Sequence, residues 1–120
     1  MLDKADLRYL EAGSVRCPGG ELAGFRVCTE DAQPLGTVTG VLISPSARRL
    51  EYLVLESPGV FRPRQYLLPL EAGAVVEDGT KVLHIPARRD ELALETFRAR
   101  SVPRFSDEDL LQTVFGRDAA

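Results

Sequence analysis

Histidine and cysteine are the residue types that most often carry catalysis or hold a metal, and this chain has few of them. His84 is the only histidine, and the two cysteines, Cys17 and Cys28, are eleven positions apart without a CxxC pair. A structural zinc site needs four such ligands at short spacings, and a catalytic triad needs a base beside its nucleophile. The pattern favours a structural or surface role for His84, and we expect no catalytic residue, no metal and no cofactor.

The acidic run Asp107–Asp109 is a second pattern that could bind a cation, because carboxylate oxygens are ligands for divalent metals. It directly follows Ser106. A serine followed by acidic residues is typical of a helix start, where the hydroxyl accepts an unpaired amide and the acids face the positive end of the helix dipole. We therefore favour a helix cap over a cation site.

Two glycines, Gly36 and Gly40, stand in a stretch rich in β-branched residues. Phosphate-binding glycine loops lead into a helix whose N-terminus meets the phosphate, and no helical pattern follows here. Glycine within a strand marks a bulge or a close backbone approach, so the stretch predicts a strongly bent strand.

Arginines are the remaining candidates for ligand binding. The segment from Thr96 to Phe105 contains Arg98, Arg100 and Arg104, two phenylalanines and no acidic residue. Basic residues interleaved with aromatic ones are one pattern of RNA or phosphate contact. The alternative is that these guanidinium groups pair with acidic residues of the chain. We favour pairing, because Glu91, Glu95 and the acidic helix start after Ser106 are near in sequence. The net charge of -3, from 18 acidic and 15 basic residues, also disfavours bulk attraction to nucleic acid.

Length and composition indicate one globular domain. The chain has 120 residues, of which 44% are hydrophobic and 28% charged, and it lacks an apolar run long enough to span a bilayer. No signal-like segment follows the N-terminal methionine, so we expect a cytoplasmic protein without membrane insertion. Two isolated cysteines in a reducing compartment are expected to be small buried hydrophobic residues with free thiols.

Short strands separated by turn residues predict a mostly β fold. Five to six strands without intervening helices favour a small antiparallel β-barrel within residues 22–95, preceded by an extension, residues 1–21. Asp78 and Gly79 predict a two-residue hairpin turn that places Val76 opposite Lys81. Helix-forming composition predicts a helix from Ala87 to Ala93, extending up to Phe97, before a C-terminal tail, residues 96–120.

Two apolar features of the chain are candidates for a partner surface. The strand from Arg49 to Ser57 is apolar on both faces, so its second face must be covered, and we place a partner there against Leu53 and Leu55 or at the rim strand near Tyr66. A short amphipathic helix after Ser106 is too short to be stable alone and must dock on this chain or on a second subunit. Its apolar stripe consists of Leu110, Leu111, Val114 and Phe115.

The order of these features resembles the PRC-barrel family, which includes the cytoplasmic part of the photosynthetic reaction-centre H subunit and the C-terminal domain of the ribosome maturation factor RimM. The residues that carry the resemblance are 22–27 (LAGFRV), 35–43 (LGTVTGVLI), 49–55 (RLEYLVL) and 66–70 (YLLPL). It implies a barrel of about six strands that acts as a non-enzymatic assembly module, similar to the stand-alone bacterial members. We therefore expect a protein-binding module, and a homodimer, with an RNA- or ribosome-associated factor as the alternative.

Overall fold

A computed structural model of the chain describes residues 6–17, 20–57, 64–70, 75–76, 80–88, 91–92 and 94–115. Within these residues the chain forms ten strands and one α-helix. In chain order these are β1 (Arg8–Glu11), β2 (Arg16–Cys17), β3 (Gly20–Glu21), β4 (Arg26–Cys28), β5 (Pro34–Ser44), β6 (Arg49–Glu56), β7 (Gln65–Pro69), β8 (Val75–Val76), β9 (Val82–His84), β10 (Glu95–Phe97) and the helix α1 (Asp107–Phe115). The predicted mostly β class is confirmed.

The long strand β5 organises the sheet, because both of its edges are occupied. β6 pairs along one edge, while β4 and then β1 pair along successive parts of the other edge. The register of β5 against β6 shifts between Val38 and Gly40, and Gly36 has a φ of 150°. A Cβ at Gly36 would collide with the carbonyl oxygen of Glu56. The predicted bent strand is confirmed, and Gly36 permits the close approach of β6.

The main sheet is mixed rather than purely antiparallel. Its strands follow the order β10-β7-β6-β5-β4-β9-β8, with β1 paired to β5 beside this path, and β2 and β3 form a separate pair. All pairs are antiparallel except β4 with β9, where Val27 lies opposite Leu83. The antiparallel prediction is corrected at this point, because the connection from β4 to β9, which contains β5 to β8, is long enough to act as the crossover that a parallel pair requires.

The predicted register of the last hairpin is wrong by two residues. Val76 lies opposite Leu83 instead of Lys81, so a longer connection joins β8 to β9, and Asp78 and Gly79 lie outside the described residues. Lys81 instead contacts β4 and the residues just before it. Its carbonyl oxygen accepts the amide of Arg26 at 2.9 Å, and its ammonium group donates to the carbonyl of Ala23 at 2.8 Å. Pairing with β4 therefore sets the register of β9.

The chain on either side of the predicted barrel belongs to the same sheet. Residues 95–97, predicted as the end of a helix, form β10, in which Thr96 lies opposite Tyr66 of β7. Phe97 is 6% exposed, and its burial outweighs the helical preference of the preceding sequence. The predicted N-terminal extension contributes β1, where Tyr9 pairs with Leu42 of β5.

Apolar side chains cover both faces of the main sheet. The main core lies on one face and includes Phe25, Val41, Leu53, Leu55 and Leu68. The second core lies on the other face and consists of Leu7, Tyr9, Leu42, Val54, Leu67, Phe97 and Val102. The predicted need to cover both faces of β6 is confirmed, and segments of the same chain cover them.

Candidate functional site

The start of α1 is fixed by a reciprocal cap. The Ser106 hydroxyl accepts the amide of Asp109 at 3.2 Å, and Asp109 Oδ2 accepts both the amide and the hydroxyl of Ser106 at 2.9 Å. This is the capping-box arrangement, with aspartate in place of the usual glutamate or glutamine. Asp107 and Glu108 complete an acidic first turn and remain exposed. The predicted helix cap is confirmed.

Asp109 also ties α1 to the sheet. Its Oδ1 lies 3.3 Å from Arg8 Nε at the start of β1, and the Asp109 residue is only 9% exposed. Arg8 additionally donates from Nη1 to the carbonyl of Leu7 at 2.8 Å. The side of α1 that faces the protein therefore carries a carboxylate at this turn.

Two leucines of α1 point to solvent as a result. Leu110 is 49% exposed and Leu111 is 57% exposed, and they are the large hydrophobic residues that stand exposed within the described part of the chain. Of the two docking alternatives, burial of the stripe against this chain's own sheet does not hold for these two leucines, because Asp109 occupies the inward side of this turn. The side chains of Val114 and Phe115 lie outside the described residues.

The structure differs from the prediction for Leu53 and Leu55. Both are buried, at 3% and 0% exposure, in the main core beside Val41 and Leu68. They occupy the inner face of β6, and the opposite face of the strand, with Val54, is covered by the second core. Neither leucine is available to a partner in the folded chain. Tyr66 is half-buried on β7 opposite Leu55, near the sheet end formed by β10.

The three candidate arginines have different environments. Arg104 Nη2 forms an ion pair with Glu11 Oε1 at 3.1 Å, and its guanidinium lies 5.8 Å from the centre of the Tyr9 ring. Arg98 and Arg100 are exposed, and neither forms an ion pair with another described residue. Pairing with an acid thus accounts for Arg104, but its partner is Glu11 of β1 and not one of the acids near it in sequence. Arg98 and Arg100 remain open to solvent.

Tyr9 anchors the segment that leads to α1. Its amide donates to Pro103 and its carbonyl accepts from Phe105, both at 2.8 Å, while its ring stacks on Phe97 with 6.1 Å between centroids. Burial raises the pKa of the Tyr9 phenol, and the nearby Glu11 carboxylate raises it further, while Arg104 opposes them. The phenol therefore stays protonated at neutral pH, and its hydroxyl donates to the carbonyl of Thr39 at 3.4 Å.

One group of side chains was missed by sequence reasoning. Register places Cys28 of β4 opposite His84 of β9, with Arg26 two residues before Cys28. The alternate residues Val27 and Leu83 are buried, so these side chains project from the outer face. The sequence offered no signal for this neighbourhood, because a parallel pair brings together residues more than fifty positions apart.

The described residues contain no group of three or more histidine, cysteine or acidic residues arranged to hold a metal ion. Their helix is also neither long nor apolar enough to cross a membrane.

Comparison with known proteins identifies the family. The family model described as PRC-barrel domain matches residues 19–92, well over half of the chain. No curated protein matches the chain. The matched residues contain β3 to β9, and with them all four segments on which the sequence resemblance rested. The chain therefore belongs to the PRC-barrel domain family.

Proposed function

We propose that this PRC-barrel protein is a non-enzymatic interaction module that binds a second copy of itself through α1. The observation that carries the proposal is that the polar side of the first turn of α1 faces the protein, while its apolar side faces solvent. Asp109 faces the protein, whereas Leu110 and Leu111 are about half exposed. Exposed leucines on a short helix that is firmly fixed at its start are typical of a docking element, because the apolar surface gains stability once a partner covers it.

Charge supports a second copy as the partner. Asp107 and Glu108 are exposed beside the two leucines, and Arg98 and Arg100 are exposed in the segment before α1. In a twofold dimer, one surface meets itself, so the acidic turn of one copy can face the arginines of the other. Such complementary charges favour the correct pairing of copies more than they add affinity.

The oligomeric state of the full chain tests the proposal. We expect a dimer by sedimentation at high micromolar concentration, and we expect the double variant Leu110→Gln/Leu111→Gln to be monomeric with nearly unchanged thermal unfolding, because both side chains are exposed. The control variant Arg16→Gln/Arg64→Gln changes exposed residues outside α1 and should remain dimeric. A wild type that stays monomeric at these concentrations would rule out self-association.

Charge reversal tests the arrangement of the two copies. Arg98→Glu/Arg100→Glu should weaken the dimer, and so should Asp107→Lys/Glu108→Lys, because each places like charges across the interface. Combining all four changes should restore affinity to near that of the wild type. Additive weakening in the combined variant would show that these charges do not meet across the interface.

RNA binding is the second candidate function, and the exposed Arg98 and Arg100 favour it. If they contact phosphates, RNA affinity should fall steeply with salt, and Arg98→Gln/Arg100→Gln should reduce the magnitude of the salt slope by about one for each lost contact. Filter-binding titrations over a range of salt concentrations measure this. Salt-independent or undetectable RNA binding would remove this candidate and leave self-association unaffected.

A further inference from the structure

Residues 102–115 are bound to the rest of the chain in the way that a peptide is bound at the edge of a sheet. This segment, which we call the arm, follows β10 and ends with α1. It adds a short parallel strand beside β1, in which Arg104 lies opposite Tyr9. The amide of Tyr9 donates to the carbonyl of Pro103, and the amide of Phe105 donates to the carbonyl of Tyr9, both at 2.8 Å. Main-chain bonds of this kind hold an added strand whichever chain supplies it.

Side chains make the arm specific for this edge of the sheet. Val102 is 8% exposed and packs in the second core. Two ion pairs join the arm to β1, from Arg104 to Glu11 at 3.1 Å and from Asp109 to Arg8 at 3.3 Å. The arm and β1 each contribute one cation and one anion, so the charges favour a single register. The surface beside β1 is therefore complementary to this arm both in hydrogen bonding and in charge.

A short connection, residues 98–101, separates the arm from β10, and we call it the hinge. Its residues Arg98, Arg100 and Ser101 are exposed. Ser101 donates from its amide at 2.9 Å and from its hydroxyl at 2.7 Å to the carbonyl of Arg98, so both bonds lie within the hinge. The members of the second core other than Val102 all precede the hinge in the chain. Opening the hinge therefore changes none of the surfaces that the arm binds.

The exposed surface of α1 is too small to hold two closed copies together. Leu110 and Leu111 are 49% and 57% exposed, so the four leucines of two copies bury only a few hundred Å² between them. A stable interface buries about 1,200 Å² or more, because association costs the freedom of motion of two whole molecules. Contacts of the leucines alone therefore do not account for a dimer at micromolar concentration.

We propose that the dimer forms by exchange, in which the arm of each copy binds beside β1 of the other copy. This inference rests on the proposed self-association through α1 and names how the two copies are joined. Exchange replaces each contact of the arm within a chain by the same contact between chains. Its cost is therefore set by the effective concentration of the tethered arm, which is about millimolar for a short linker. Burying four half-exposed leucines lowers the dissociation constant about a thousandfold from that value, into the micromolar range.

Cross-linking of mixed full-length chains tests the exchange. One chain carries Glu11→Cys and the other Arg104→Cys, both with Cys17→Ser/Cys28→Ser, and equal amounts are refolded together at high micromolar concentration. Both exchanged side chains are more than half exposed, so the chains should fold normally. A short bismaleimide should link the two chains covalently on a denaturing gel, in up to half of the dimer. Each mixed dimer brings the two new cysteines together at one arm and keeps the native ion pair at the other.

Two controls distinguish exchange from accidental contact between copies. A chain carrying Arg16→Cys/Glu21→Cys has its cysteines on the paired strands β2 and β3, outside the arm, and should cross-link only within one chain. Adding Leu110→Gln/Leu111→Gln to the mixed chains should abolish the link between them, because the dissociation constant then returns to the millimolar range.

The outcomes separate exchange from self-association. A dimer that gives no covalent link between the mixed chains would overturn exchange and leave self-association through α1 in place. In that case a chain carrying both Glu11→Cys and Arg104→Cys should link within itself, which shows that the reagent spans the two positions. A wild type that stays monomeric at these concentrations would overturn both proposals.

Discussion

The Tyr9 ring contacts three other parts of the chain, and the lack of a side chain at Gly40 makes room for it. Its ring lies against Gly40 of β5, stacks on Phe97 of β10 and lies under the guanidinium of Arg104. A Cβ built at Gly40 would be 2.5 Å from Tyr9 Cε2, a distance that unstrained packing does not allow. Gly40 is therefore required by the position of the tyrosine ring and not only by the bend of the strand.

The variant Gly40→Ala should lower the free energy of unfolding by about 1–3 kcal/mol, because the added methyl group displaces the Tyr9 ring from a packed core. Gly13→Ala is the matched control, since a Cβ there meets no atom within 4 Å. Urea denaturation of both variants measures the difference. Equal stability of the two variants would mean that the ring moves aside without cost.

The phenol of Tyr9 should ionise at a higher pH than an exposed tyrosine, because burial raises its pKa. The unfolded chain then loses this proton before the folded chain does, so stability should fall as the pH rises above about 10. Ultraviolet absorbance titration should show a late component that Tyr9→Phe abolishes. If the same late component persists in Tyr9→Phe, another group is responsible for it.

At the scale of elements, α1 depends on one carboxylate for both its cap and its attachment to the sheet. Asp109→Asn should weaken the bonds to Ser106 and remove the ion pair with Arg8, at a cost of about 1–2 kcal/mol to the helix. Asp107→Asn is the control, because Asp107 is exposed in the same turn.

Hydrogen exchange of the amides in α1 is the appropriate measurement, since the helix can unfold while the sheet persists. Exchange should become several-fold faster in Asp109→Asn and change little in Asp107→Asn. Equal effects of the two variants would indicate that only the total charge of the first turn matters.

Sequence patterns predicted the elements that neighbouring residues in the chain determine. The glycines of β5 and the serine before α1 are visible in the sequence, and both predictions are confirmed. The register of β9 is set by β4, and β10 is fixed by pairing with β7 and by burial of Phe97. These causes are distant in the chain, so the hairpin register, the strand at residues 95–97 and the neighbourhood of Cys28 and His84 could not be read from spacing.

The candidate site on α1 could be predicted only in part, because the orientation of the helix also depends on a contact that is distant in the chain. The amphipathic pattern of α1 singled out Leu110 and Leu111, which the structure leaves exposed, but periodicity does not reveal which face turns inward. The ion pair between Asp109 and Arg8, which joins opposite regions of the chain, decides that orientation. In β6 a two-sided apolar strand was recognised, yet Leu53 proved to face the main core.

At the scale of the whole molecule, two truncations should have opposite consequences. Removing residues 106–120 deletes α1 and its exposed leucines, so the chain should stay folded and lose the proposed dimer. Removing residues 95–120 also deletes Phe97 and Val102 from the second core, at a cost of about 3–5 kcal/mol for the phenylalanine alone. Calorimetry combined with light scattering measures both properties. A shorter truncation that unfolds would place α1 among the elements that the fold requires.

The pairing of residues 103–105 with β1 also affects how the chain folds during synthesis. The amide of Tyr9 donates to the carbonyl of Pro103, so this hydrogen bond can form only after Pro103 has been synthesised. While the chain leaves the ribosome, β5, β6 and β7 can pair early, because their contacts are local. Leu42, Val54 and Leu67 then remain uncovered until Phe97 and Val102 have emerged. Between the emergence of β7 and that of Val102, the nascent protein thus exposes apolar surface of the kind that chaperones bind.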